Sequence, residues 1–83
     1  MNREGFLEAV KKQYAEEIQS AYFACEHEDE LNHKSLNKVE LEKKLFKIMK
    51  SAAAEGLNSK DFEELVFSTI PEVGNQLNFK KAA

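Results

Sequence analysis

The sequence predicts an all-α protein, a small three-helix bundle, and three observations carry that prediction. Apolar side chains recur at helical spacing in three successive stretches between residues 2 and 70. Helix breakers are sparse, with one proline, Pro71, and three glycines, Gly5, Gly56 and Gly74. The sharpest break, Glu55-Gly56-Leu57-Asn58-Ser59, separates the last two stretches and reads as a helix stop followed by a helix start.

Helix 1 is expected over about residues 3–30 and is the longest. At 100° per residue, Phe6, Leu7, Val10, Tyr14, Ile18, Ala21, Tyr22 and Cys25 share one side. Lys12, Glu16, Gln19, Glu26 and Glu30 take the other, with Phe23 an anomaly among them. The chain breaks at Leu31-Asn32-His33-Lys34-Ser35-Leu36. Asn37 then reads as an N-cap whose capping-box partner is Glu40.

Helix 2 is expected over about 38–55. Leu41, Leu45, Ile48 and Ala52 form its stripe, and Val39, Phe46, Met49 and Ala53 widen it to nearly half the circumference. A face that broad can touch two neighbours, which makes helix 2 the expected central element. Lys43, Lys47 and Lys50 lie opposite and should be solvated. Gly56 stands where a helix stop needs a positive φ, and Leu57 follows as the apolar contact of a Schellman motif. Ser59 is the expected cap of helix 3, about 60–70, which buries Phe62, Leu65, Val66, Thr69 and Ile70. Pro71 either ends that helix or opens a short fourth one, Glu72–Leu77, within the C-terminal segment 71–83.

With 83 residues there is room for a single domain, 1–83, and one core. A hydrophobic content of 42% is too high for a disordered chain. The formal net charge of −3 disfavours nucleic acid and anionic membranes as partners. No apolar run approaches the roughly 20 residues that span a bilayer, and Met1–Phe6 shows no secretory signal. Cys25 is the one cysteine, so an intrachain disulfide is impossible and a cytoplasmic setting is expected.

Four constellations carry candidate chemistry. Ala52, Gly56, Leu57, Phe62 and Leu65 follow the spacing of a helix-turn-helix unit, residues 52–67, which would aim Asn58, Ser59, Lys60, Glu63, Glu64 and Phe67 at a major groove. Glu63 and Glu64 are repelled by phosphates, and a structural corner accounts for the same spacing. The segment Cys25–His33 concentrates acids with both histidines of the chain. Were helix 1 to continue, Glu26, Glu30 and His33 would share a face, and Glu30-x-x-His33 has the spacing of di-iron bundle ligands. An acidic, solvated helix end is the simpler account, so no metal is expected.

The run Glu28–Leu41, with a Ser-Leu pair opening a helix that carries Val-Glu-Leu, resembles the acyl carrier protein segment around its phosphopantetheine serine. By that resemblance Ser35 would bear a prosthetic arm at the start of helix 2. The family's Asp before the serine is Lys34 here, helix 2 carries lysines where the family presents acids, and the first segment reads as one long helix. A turn or capping serine explains Ser35 without a cofactor. Nucleophilic catalysis lacks support, because Cys25 falls on the apolar face and no glycine-rich phosphate loop exists.

The expectation is therefore a non-enzymatic helical protein acting through protein–protein contact, as an adaptor, regulator or inhibitor, with no cofactor. Phe23, Phe46 and Phe67 form its expected interaction surface, for a protein partner or for self-association. Flanking acids would steer it towards basic surfaces.

Overall fold

The computed structural model describes residues 3–28, 30–31 and 34–77. Three helices make the bundle: α1 (Arg3–Ala24), α2 (Lys38–Ala54) and α3 (Ser59–Thr69), followed by a 3₁₀ turn at Gly74–Gln76. Two short strands, β1 (Glu26–Glu28) and β2 (Lys34–Leu36), form an antiparallel hairpin between α1 and α2. The all-α bundle is as expected; the hairpin is not.

Helix 1 therefore ends at Ala24 rather than near residue 30. The physical reason lies in its continuation. Carboxylates at 26, 28 and 30 would crowd the negative end of a helix dipole, where cations are favoured. Instead residues 26–28 form a strand that pairs in the register Glu26↔Leu36, His27↔Ser35 and Glu28↔Lys34, and Glu30 lies in the turn beyond it. Cys25 stays buried just past the helix end, its N–H shared between the Ala21 and Tyr22 carbonyls.

Asn37 caps α2 as expected, its Oδ1 accepting from the Glu40 N–H at 3.1 Å. The capping box is not reciprocal, because the Asn37 N–H donates instead to the Cys25 carbonyl at 2.9 Å and closes the hairpin's base. At the other end of α2, Leu57 N–H donates to Ala52 O at 3.0 Å and Gly56 N–H to Ala53 O at 3.1 Å. Those two bonds are the Schellman pair, and Gly56 holds the positive φ of 98° that they require. The cap of α3 is Asn58, one residue before the expected Ser59. Its Oδ1 takes the Asp61 N–H at 2.8 Å.

Ile18, Leu41, Leu45, Leu57, Phe62 and Val66 are wholly sealed from solvent, with Val10, Tyr14, Ala21, Cys25, Ala52 and Ile70 completing the core. Each large apolar side chain buried in this way is worth about 1.5–3 kcal/mol, an upper estimate. Helix α2 touches both other helices, as its broad face implies, although the most extensive packing is that of α1 against each of its partners. Of the residues assigned to apolar faces, Phe6 (50%), Val39 (62%) and Ala53 are exposed. Phe6 and Val39 sit in the first turns of their helices. After Pro71 the chain turns back, and Val73 and Leu77 pack against the core's margin. Of the two alternatives at Pro71, the structure takes the first: α3 ends before it, at Thr69, and residues 72–77 form no α-helix but a 3₁₀ turn at Gly74–Gln76. A Cβ on Gly74 would stand 3.2 Å from the Phe67 Cα and 3.0 Å from its Cδ1, so this turn approaches α3 as closely as only glycine allows.

Candidate interaction groove

The side chains singled out in the sequence do not converge. Phe23 is 62% exposed on the outer side of α1, where its ring meets Tyr22 edge-on at 5.8 Å. Phe67 is in part a structural cover, pressed against Gly74. Phe46 is half-buried, with the Lys50 ammonium 4.8 Å from its ring centroid in a cation–π contact.

The hairpin also separates the proposed metal ligands. Glu26 is half-buried in β1, Glu30 is exposed in the turn, and His33 lies outside the described residues. The helical face that was to unite them does not exist. Among the described residues no cluster of His, Cys, Asp and Glu is arranged to hold a metal ion. Ser35 is exposed in β2 opposite His27, two residues before the cap, so the helix entrance belongs to Asn37. Of the helix-turn-helix set, Asn58 is spent on its own cap and Phe67 faces Gly74.

Three buried or half-buried titratable groups serve the structure. Burial pushes the Cys25 thiol above its ordinary pKa, with the charge of Lys44 opposing and that of Glu40 assisting, so the reactive thiolate is disfavoured. Tyr14 is pushed up to about 12, first by burial and then by hydrogen bonding to the Glu55 carboxylate, which its hydroxyl serves as donor. Tyr22 is raised for the same reasons, burial first, with Glu26 as its partner. Each tyrosine thus ties α1 to one of the two connections.

What the structure adds is a groove of about 900 Å³ along the junction of α1 and α2. Its apolar lining is Ala21 and Ala24 from α1 with Phe46 and Ile48 from α2. Its charged lining is Lys43, Lys44, Lys47 and Lys50, with Glu40 among them. Lys43, Lys47 and Lys50 share a face by their i, i+4, i+7 spacing. A shallower depression continues from Ser20 and Ile48 past Gln13, Glu16 and Glu17. The solvated lysine face was legible in the sequence. That the small residues of α1 lie beside it was not, although Ser20, Ala21 and Ala24 spaced along one flank are the signal that could have found it.

Among the described residues no helix is long and apolar enough to cross a membrane. Comparison with protein-family models, with curated proteins and with solved structures gave no match.

Proposed function

We propose that this chain is a non-enzymatic interaction protein whose docking site is the α1–α2 groove. One observation carries the reading. The groove joins an apolar lining, with Phe46 as an aromatic anchor, to a charged border, which is the anatomy of a protein-binding surface. The remaining chemistry favours the same side, since the thiol is buried and each tyrosine hydroxyl is engaged by a glutamate. Of the expected aromatic surface, Phe46 belongs to this site, while Phe23 and Phe67 lie outside its lining.

Ala24→Arg tests the proposal, because it fills the groove from an exposed helical position and leaves the core intact. The wild-type chain and the variant are used side by side as bait in the native cell extract, with circular dichroism confirming equal helicity. Proteins held by the wild type should be lost from Ala24→Arg and retained by Phe23→Ala. An identical set from all three baits refutes the groove as the docking site.

A further inference from the structure

Resting on that reading, we infer that the groove's occupant is an acidic amphipathic helix of a partner protein. All the groove's lining comes from α1 and α2, so it lies along the side of that helix pair that α3 leaves open. A helix about 10–12 Å across suits such a seat between two helices. It would lay apolar residues spaced i, i+3, i+4 and i+7 over Ala21, Ala24 and Ile48, with Phe46 bordering the lysine flank of α2.

The charge lining decides the partner's sign. From Lys43 to Lys50 the lysines run about 10 Å along α2. An occupant with glutamates or aspartates on its α2-facing flank meets attraction throughout that length, and one with lysines meets repulsion. The chain as a whole carries −3, so the attraction is local, acting within a screening length of about 8–10 Å. It runs against the basic partner that net charge suggests. Glu40 and the neighbouring pair Glu16 and Glu17 limit it further, favouring an occupant whose acids lie over Lys43–Lys50 and not beyond Ser20. Each exposed ion pair changes affinity by at most about fivefold. The apolar lining therefore supplies the hold, and the lysines supply the choice of partner.

The test uses the full chain and two synthetic amphipathic helical peptides with identical leucine positions, one with glutamates on its flanks and the other with lysines. Fluorescence anisotropy should find the glutamate peptide bound at least tenfold more tightly, with affinity falling as salt is raised. K43E combined with K47E and K50E should invert that preference, and Ala24→Arg should abolish binding of both. Equal binding of the two peptides, or preference for the lysine peptide, overturns the inference. So does a self-associated state in sedimentation that Ala24→Arg dissolves, since the occupant is then a second copy. If neither peptide binds while Ala24→Arg still strips partners from the bait, the acidic helix is wrong and the groove stands. If Ala24→Arg changes neither measurement, groove and occupant fall together.

Discussion

The corner between α2 and α3 and the excursion between α1 and α2 both carry the chain from one helix to the next, by opposite means. The corner uses the residues from Glu55 to Asn58, satisfies its backbone groups locally, and plants Leu57 in the core. The excursion runs from Cys25 to Asn37, pairs two strands with each other, and exposes Leu31 to 74%. A compact connection is thus part of the core, whereas an extended one is held chiefly at its base. Stability should respond to changes in the first and hardly to changes at the exposed tip of the second.

Leu57→Ala should have the largest effect. It empties a fully sealed position, and such truncations cost about 2–5 kcal/mol, a large share of what a chain this size has to lose. Chemical denaturation measures it directly, and a loss below about 1 kcal/mol would erase the distinction between the two connections.

Alkaline pH should loosen the corner next. Tyr14 has a raised pKa in the fold, so its contribution is complete below about 10 and is lost as pH climbs through about 12. The loss is at most about 2–3 kcal/mol. Tyr14→Phe should flatten the stability profile in that window relative to the wild type; matching profiles would show that ionisation of Tyr14 does not act on the fold.

Gly56→Ala should come third, at about 1–2 kcal/mol. No atom crowds the position, so the cost is that of holding an L-residue at φ 98°. Differential scanning calorimetry should show a lower Tm for the variant, and an unchanged Tm would mean that the corner relaxes without penalty. Leu31→Ala closes the series, with stability within about 0.5 kcal/mol of the wild type. A larger loss in urea titration would mean that the hairpin tip packs against the bundle.

The same contrast explains what could be read in advance. At the corner, Gly56 and Leu57 form a local signal whose geometry is complete within a few residues, so the helix stop and the buried leucine were both predictable. The α3 cap moved by one residue because Asn58 and Ser59 are both good caps, and the choice depends on which side chain reaches Asp61. At the hairpin, strands of three residues are too short to display a period of two, and Cys25 continues the apolar stripe of α1 past its true end. The dipole misfit of Glu26, Glu28 and Glu30 was visible and marked the place where the helix reading failed. For the groove, the sequence revealed the lysine face but not its neighbour, since relative helix placement depends on packing that no single stretch encodes.

The hydrogen bond from Asn37 to the Cys25 carbonyl has a practical consequence. It fastens the two ends of the excursion together, so whatever chain lies between them begins and ends at one fixed gate. Doubling the length of such a closed loop costs only about 0.6 kcal/mol. A short flexible epitope spliced in after Glu30 should therefore leave the helices undisturbed, and would give the protein a handle on which to be immobilised.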